Sequence, residues 1–208
     1  FQIGALLEMV LLSLALASRV NELQRHSVTD ALTGLYNRRF FDESLREEYS
    51  RSERYGQPLS VMLIDVDHFK NYNDTYGHQF GDDALRRIAR RLRKTVRRSD
   101  RLCRYGGEEF VMLMPATDEE DARILAERQR EQIAARRLSK GKLTISVGVA
   151  TFANGSFGSA AALVEAADQA LYRAKDGGRD RVVSHDPDAN NAPTDTPMSD
   201  QGALGHPV

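Results

Sequence analysis

The sequence is poor in cysteine and proline, lacks tryptophan and carries almost no net charge. One cysteine among 208 residues excludes a disulfide framework and a multi-cysteine zinc site. The 29 Lys and Arg residues balance 30 Asp and Glu residues, which excludes a globally basic nucleic-acid-binding protein, so no nucleic-acid partner is expected. A hydrophobic fraction of 41% is too high for a disordered chain. The composition indicates a globular domain whose function has to be read from motifs.

The carboxy-terminal end differs in composition from the middle of the chain. Residues 184–208 hold four of the six prolines and almost no large apolar side chains. Such a segment cannot bury enough surface to offset the entropy of ordering, so it is predicted to be a disordered tail. Residues 29–183 remain as a body of single-domain size.

The amino-terminal end is nearly all apolar from Ile3 to Ala17, with Glu8 as its one charged residue. Three interpretations are open. The segment could be a signal peptide, but it shows neither a basic leader nor a cleavage site. It could also be a buried helix of a globular domain or the end of a transmembrane helix. Arg19 and Arg25 follow the run as positive-inside flanks do, which favours the third. Residues 1–28 are therefore predicted to be the end of a transmembrane helix and a short signalling helix that pairs with a partner chain.

Hydrophobic periodicity predicts alternating helices and strands in residues 29–183. The predicted helices span residues 29–55, 82–98, 118–138 and 159–176, and the predicted strands span 59–65, 101–105, 110–115, 142–150 and 181–183. Thr29 and Asp30 offer oxygens to cap the first helix, and Leu35 is expected on its apolar side. The order β-α-β-β-α-β with one additional helix indicates an α/β fold of the ferredoxin-like or palm type, a mostly antiparallel central sheet flanked by helices.

The predicted hairpin turn carries two glycines and two acids, from Gly106 to Glu109. Glycine permits a positive φ, so the backbone is expected to turn tightly and to approach a bulky ligand without a Cβ in the way. By themselves, the two acids are also typical of a turn with solvated charges. In a palm-type sheet, however, the strand that ends at Asp65 lies beside this hairpin. Asp65 and Glu108 are therefore expected to bind a hard divalent ion such as Mg²⁺, with Lys70 behind them as a polyphosphate contact.

Five blocks of this sequence resemble the GGDEF-domain diguanylate cyclases. They are DALTGLYNRR (30–39), LIDVDHFKNYNDTYGHQFGD (63–82), RYGGEEF (104–110), ISVGVA (145–150) and ALYRAKDGGRD (170–180). A single GGEEF string would be a weak signal, but five blocks in the family's order over residues 29–183 are specific. The resemblance implies a GTP substrate, since members of the family join two GTP molecules into cyclic di-GMP and release two pyrophosphates.

The resemblance also implies roles for individual residues. The implied metal ligands are Asp65, the Val66 carbonyl and Glu108, with Mg²⁺ as the ion and Mn²⁺ as its substitute. The implied catalytic residues are Glu108, which faces the ribose 3′-hydroxyl, Lys70 and Glu109. The role of Glu109 stays open between support of the site and a second metal. The implied substrate contacts are Phe69, Lys70, Asn73, His78, Asp82, Gly106, Gly107, Lys175 and Arg179. No metal role is assigned to Asp67.

Some of these residues have a plainer interpretation. Asp82 is also suited to cap the helix that follows it, and a histidine such as His78 is more often an ordinary surface or core residue than a ligand contact. The two glycines at 177–178 leave open whether Lys175 and Arg179 share one helix face or lie across a loop.

A second ligand site is implied upstream of the turn, where Arg97 and Asp100 form the family's RxxD pattern. In the family, the product binds at this pattern, away from the catalytic residues. The residue types fit that role, because an arginine can clamp a phosphate or a guanine edge and an aspartate can accept from guanine. Arg128 matches the position that completes this site from a neighbouring domain. The other basic residues of 86–98 are expected to form a solvated face, with attraction to anionic lipid as the alternative.

Taken together, the residues predict a Mg²⁺-dependent diguanylate cyclase that is inhibited by its product. Activity is expected only from a homodimer, because both halves of a symmetric reaction need facing sites. The alternative is a catalytically silent GGDEF domain that acts as a cyclic di-GMP receptor through Arg97 and Asp100. The first twenty residues resemble the last helix of a seven-helix bacterial sensor. The chain is thus expected to be the cytoplasmic, carboxy-terminal part of a longer inner-membrane protein, which fits a start at Phe1.

Overall fold

A computed structural model describes residues 28–135, 140–153 and 155–186, together with residues 9, 12 and 13. In chain order its elements are β1 (Tyr36–Asn37), α1 (Arg38–Tyr55), β2 (Leu59–Val66), α2 (Phe69–Tyr76), α3 (His78–Arg93), β3 (Arg101–Arg104), β4 (Glu109–Pro115), α4 (Glu119–Ala134), β5 (Ile145–Phe152), α5 (Ala160–Asp176) and β6 (Val182–Ser184). None of the helices in these ranges is long and apolar enough to cross a membrane. Apart from a few positions, the segments predicted for residues 1–28 and 184–208 lie outside the described residues.

The strands form one mixed sheet in the order β1-β3-β4-β2-β5-β6. The central strand β2 pairs antiparallel with both β4 and β5, and β3 pairs antiparallel with β4. Only the short edge strands are parallel to their neighbours, β1 to β3 and β6 to β5. The predicted α/β class, with a mostly antiparallel central sheet flanked by helices, is confirmed.

Both faces of the sheet are covered, so β2 is buried along its whole length. Alternate strand residues point to opposite faces, and β2 accordingly contributes Met62 and Ile64 to one core cluster and Val61 and Leu63 to the other. The first cluster is completed by α2, α3 and α4. The second is completed by α1 and α5. This burial explains why a nearly continuous apolar run encodes β2.

The first helix begins at Arg38, and the predicted start at residue 29 was wrong. Asn37 caps it, because the Asn37 side chain accepts from the Phe40 N–H at 3.0 Å. Asp30 accepts instead from the backbone and hydroxyl of Thr33, within a turn that precedes the helix. Leu35 is buried, but it packs in the cluster on the opposite face of the sheet from α1.

The region after β2 holds two helices where the sequence predicted one. Gly77, with a φ of 87°, separates α2 from α3, and glycine adopts such an angle without steric cost. Asp82 lies exposed within α3, so its prediction as a helix cap was wrong. Beyond the end of α3, the N–H groups of Thr95 and Val96 donate to carbonyls three residues back. This tightening puts Arg97 in a turn outside the helix.

Predicted boundaries also shift at β5, α4 and β6. β5 begins at Ile145 and not at residue 142. α4 ends at Ala134, and residues 136–139 lie outside the described ranges. β6 includes Ser184, the first residue assigned to the predicted tail, because the strand continues its pairing with β5. The sheet and its helices thereby fix the position of the strand ends at which the candidate site lies.

Candidate active site

The end of β2 and the start of β4 bring two acids from separate stretches of chain together. The Asp65 and Glu109 positions are paired across the two strands, and the Val66 N–H donates to the Glu108 carbonyl at 3.3 Å. A cavity of about 290 Å³ opens at this end, and it is lined by Asp65, Val66, His68, Phe69, Lys70, Asn71, Glu108, Lys175 and Arg179. The structure therefore places the predicted metal-binding acids beside the predicted phosphate-binding cations.

The two acids of this cavity, Asp65 and Glu108, both have raised pKa values. Burial raises the pKa of Asp65, and the nearby charge of Lys175, whose Nζ lies 2.8 Å from Oδ2, only partly opposes the rise. Burial also raises the pKa of Glu108, and the neighbouring carboxylates of Asp65 and Glu109 raise it further. An added cation between Asp65 and Glu108 would relieve this repulsion.

The donor set fits a divalent ion that the substrate completes. Mg²⁺ prefers oxygen ligands, and it is usually held by one or two carboxylates together with substrate phosphates. Within residues 28–135, 140–153 and 155–186, no cluster of three or more His, Cys, Asp or Glu side chains could hold a metal ion. Asp65, Glu108 and a backbone carbonyl therefore suit a nucleotide-bound Mg²⁺ better than a resident metal enclosed by protein ligands.

Asp67 follows Asp65 in the chain but has a different environment. Its carboxylate is 2% exposed and accepts hydrogen bonds from the hydroxyls of Thr144 at 2.7 Å and Ser146 at 2.6 Å. A third bond comes from the backbone N–H of Asp180 at 3.1 Å. Asp67 is thus fully occupied by β5 and its surroundings, and it does not line the cavity.

The hairpin turn that carries Glu108 is fixed by an arginine to which the sequence reasoning assigned no role. The Arg104 guanidinium donates to the Gly107 carbonyl at 2.7 Å and to the Asp30 carboxylate at 3.1 Å. Neither Gly106 nor Gly107 has a positive φ, so the turn does not use the freedom that glycine permits, although the Tyr105 N–H closes it by donating to the Glu109 carbonyl at 2.9 Å. A Cβ at Gly107 would meet no atom within 4 Å, whereas a Cβ at Gly106 would lie 2.5 Å from Glu109 Oε2.

The predicted base-reading residues lie on α2 and α3, outside the lining of the cavity. The Asn73 Oδ1 atom is buried without a hydrogen-bond partner. A Cβ built on Gly81 would lie 1.8 Å from that oxygen, so the two helices approach closely only because residue 81 is glycine. His78 and Asp82 are exposed on α3. The group offers an unpaired acceptor at Asn73 and an exposed carboxylate at Asp82.

The cations on the last helix reach the cavity from two kinds of backbone. α5 ends at Asp176, so Lys175 lies in its last turn, whereas Arg179 lies in the loop that follows with a φ of 64°. The alternative of a continuous helix face is thereby excluded. Both residues nevertheless line the same cavity.

The RxxD residues form a separate turn before β3. Arg97 is exposed, and its backbone N–H donates to the Asp100 carboxylate at 2.8 Å. Asp100 itself is only 6% exposed. Gln129 of α4 donates to the Thr95 hydroxyl at 2.9 Å, which brings the segment carrying the exposed Arg128 beside this turn.

Comparison with known proteins agrees with this geometry. Residues 27–181 match the family described as diguanylate cyclase, GGDEF domain. Diguanylate cyclase DgcP of Pseudomonas aeruginosa is 45% identical over 172 residues, which are 81% of this chain and 25% of that protein. Response regulator PleD of Caulobacter vibrioides is 45% identical over 163 residues, 76% of this chain and 36% of that protein. The chain belongs to the GGDEF-domain diguanylate cyclase family, and it spans about a third or less of the length of these two relatives.

A solved structure has the same fold. The coiled coil and GGDEF domain of DgcB from Caulobacter crescentus, solved in complex with c-di-GMP, superposes with a TM-score of 0.74 at 32% identity. The match covers 87% of this chain and 97% of that one. The mixed sheet and its flanking helices are therefore those of a GGDEF domain.

Proposed function

We propose that this chain is a diguanylate cyclase, which condenses two GTP molecules into cyclic di-GMP and releases two pyrophosphates. The observation that carries the proposal is the convergence of Asp65 and Glu108 at the ends of neighbouring strands, with three cations around the same cavity. An acidic pair with nearby cations is suited to a metal-bound triphosphate. The named activity of diguanylate cyclase relatives such as DgcP supports the same reaction.

The acids and cations divide the work of phosphoryl transfer. Asp65, the Val66 carbonyl and Glu108 would hold Mg²⁺, or Mn²⁺ in its place, and the ion supplies charge neutralisation to the triphosphate. Lys70 and Arg179 bind phosphate oxygens as fixed positive charges, and Lys175 joins them from its position against Asp65.

Glu108 is suited to a second task, because the resemblance places it facing the ribose 3′-hydroxyl, where a carboxylate can accept a proton. The ribose 3′-oxygen forms a bond to the α-phosphorus of the other GTP while the bond to pyrophosphate breaks. The hydroxyl proton passes to Glu108. Glu109 supports this step as a second negative charge beside Glu108.

The guanine base of the nucleotide is recognised at the junction of α2 and α3. The unpaired Asn73 Oδ1 and the exposed Asp82 carboxylate are acceptors, and guanine presents N–H donors at N1 and N2. A buried acceptor without a partner is costly, so a guanine edge would satisfy Asn73. Phe69 and His78 flank the nucleotide, and Gly106 and Gly107 present it with backbone that carries no Cβ.

The reaction requires a homodimer. One domain binds one GTP, so two chains must present facing sites for the two symmetric bond-forming steps. The amino-terminal segment is the proposed pairing element, and the apolar run with flanking arginines at residues 3–25 supports a membrane anchor of the seven-helix sensor type. The catalytic domain would then lie on the cytoplasmic side of an inner membrane.

The product is proposed to inhibit the enzyme through Arg97, Asp100 and Arg128. The exposed guanidinium groups of Arg97 and Arg128 can clamp phosphate or a guanine edge. The bond from Gln129 to Thr95 supports the idea that the α4 segment and the turn act together.

The proposal is tested by incubating the full chain with GTP and Mg²⁺ and identifying the nucleotides by mass spectrometry. A version fused to a dimeric coiled coil is tested in parallel, so that failure to pair does not hide the activity. Cyclic di-GMP and pyrophosphate are expected with GTP, and neither is expected with ATP or with a chelator. Tight binding of cyclic di-GMP by both versions without any synthesis would establish the receptor alternative and refute the cyclase.

A further inference from the structure

The loop after α5 has a backbone that its own sequence does not favour. Gly178, Arg179 and Asp180 have φ values of 110°, 64° and 44°. Left-handed φ values are unfavourable for residues that carry a Cβ, and they persist where the surroundings impose them. Two such residues in succession, one of which lines the candidate site, require contacts that hold them.

The first contact comes from Asp67, beneath the loop. The Asp180 N–H donates to Asp67 Oδ2 at 3.1 Å. Asp67 is itself held rigidly, because the hydroxyls of Thr144 and Ser146 donate to its two carboxylate oxygens and its backbone N–H donates to the Thr144 carbonyl at 3.0 Å. The buried carboxylate therefore fixes the loop relative to β5.

The second contact comes from α4. Arg130 donates to the Asp180 carboxylate at 2.8 Å, and its side chain is 19% exposed. Glu127 binds the same guanidinium, so the arginine is oriented before it meets the loop. A half-buried pair of this kind is screened less by solvent and salt than a fully exposed one.

Between these contacts the loop is closed onto the helix. The Arg179 N–H donates to the Ala174 carbonyl at 3.0 Å, and Arg179 lines the cavity together with Lys175. The nearby charge of Arg179 also lowers the pKa of Asp65, against the larger effect of burial. The position of this guanidinium thus depends on a backbone held from two sides.

We propose that Asp67 and Arg130 are positioning residues that hold Arg179 against the phosphates of the bound nucleotide. Neither side chain lines the cavity, and each acts through Asp180. This inference rests on the proposed GTP site, and it adds a device that links α4 and β5 to the phosphate end of that site.

A matched control lies on the same helix. Arg123 pairs with Glu120 at 2.9 Å, but both side chains are about half exposed or more, 49% and 66%, and the pair stays within α4. Arg130→Gln and Arg123→Gln therefore remove the same group from one helix, and only the first touches the loop. Arg130→Lys keeps the charge and serves as the conservative variant.

The test compares two ligands that differ in their phosphates. The GTP analogue with a methylene bridge between the α- and β-phosphorus atoms carries the triphosphate and cannot react, whereas guanosine carries none. Arg130→Gln is expected to weaken binding of the analogue by about three- to tenfold, as for the partial loss of one charge-assisted contact. Guanosine binding, followed by nuclear magnetic resonance, is expected to stay unchanged, and Arg130→Lys is expected to restore part of the loss.

Asp180→Asn supplies the second arm. Asparagine tolerates the left-handed region and keeps the N–H bond to Asp67, so this variant removes only the negative charge that pairs with Arg130. It is expected to match Arg130→Gln, and the double variant is expected to show no further loss. Thr144→Val removes one donor from Asp67 and is expected to cause a smaller loss of the same kind.

Three results would overturn the inference. These are equal losses for the analogue and guanosine, equal effects of Arg130→Gln and Arg123→Gln, or additive losses in the double variant. Failure of the proposed function is distinguishable, because the unaltered chain would then neither bind the triphosphate analogue nor form cyclic di-GMP. An active unaltered chain with unaffected variants would remove only the positioning role.

Discussion

The cavity lined by Asp65 and Glu108 and the RxxD turn both combine acidic and basic residues, but the burial of these residues differs between the two regions. At the first, Asp65 is buried and Glu108 is half-buried, and burial raises the pKa of both. At the second, Arg97 and Arg128 are exposed, and the Asp100 carboxylate is already bonded to the Arg97 backbone. Like charges that are held close together under burial are stabilised by a bound cation. An exposed turn, by contrast, can bind a ligand on which neither the fold nor the other site depends. The first region should therefore be indispensable to turnover, and the second should only modulate it.

The largest effect is expected from Glu108→Gln, which keeps the shape of the side chain and removes its charge. We expect turnover to fall by more than about 100-fold, as for the loss of a group that both binds the metal ion and accepts the proton. The fold should persist, because Glu108 lies at a turn that Arg104 holds through the Gly107 carbonyl. Product formation and circular dichroism measure the two properties.

The matched control for this variant is Glu47→Gln, on the exposed side of α1, for which full turnover is expected. Turnover by Glu108→Gln within a few fold of the unaltered chain would contradict the difference drawn between the two regions.

The next effect concerns base recognition at the α2–α3 junction. Gly81→Ala would place a Cβ 1.8 Å from the Asn73 oxygen and 3.1 Å from the Phe69 ring. We expect the KM for GTP to rise by about tenfold, the equivalent of one lost hydrogen bond, and discrimination against ATP to fall. Gly158→Ala is the control, since a Cβ there meets no atom within 4 Å. Unchanged selectivity in Gly81→Ala would show that Asn73 does not read the base.

A smaller effect is expected at the RxxD turn. Arg97→Ala should weaken inhibition by cyclic di-GMP by about three- to tenfold, because one of several charge-assisted contacts is lost. Arg98→Ala removes a neighbouring exposed arginine outside the pattern and should leave the inhibition constant unchanged. Equal weakening in both variants would assign the effect to general positive charge and not to a specific product site.

The smallest effect is on stability without metal. The pKa of Glu108 is raised in the folded chain, so the folded state binds its proton more tightly than the unfolded state does. The stability that this proton confers is present at low pH and is lost as pH rises through the raised pKa. Glu108→Gln should therefore raise the melting temperature at neutral pH in the presence of a chelator.

That gain should disappear below the ordinary pKa of a glutamate, and thermal melts between about pH 4 and 8 measure it. Glu47→Gln should show no such pH-dependent gain. A Glu108→Gln variant that is destabilised across this range would show that the carboxylate is not under electrostatic stress.

The sequence predicted most of the sheet but not all of the helices or their boundaries. The apolar runs of β2 and β4 mark buried strands because both faces of the sheet are covered, and Ser159 marks the start of α5 through its bond to the Ala162 N–H. α2 and the first turn of α3 were missed, since a short helix that buries only Phe69 and Tyr72 gives little apolar periodicity. The start of α1 was misplaced, because Asp30 and Asn37 are both capable caps and packing decides between them.

The candidate site shows the same limit. The approach of Asp65 to Glu108 was predictable, because a strand that ends in an acid was expected beside the hairpin. The contacts of Arg104 with Asp30, and of Asp180 with Asp67 and Arg130, join residues far apart in sequence. Such contacts depend on the packing of complete elements, so no local sequence pattern predicts them.

The central claim is that Asp65 and Glu108 hold one divalent ion against a nucleoside triphosphate. Its most direct test is a crystal structure with Mn²⁺ and the non-reacting GTP analogue, in which anomalous scattering locates the ion. We predict a peak bonded to both carboxylates and to phosphate oxygens. A well-ordered nucleotide whose ion is bonded to neither carboxylate would contradict the account.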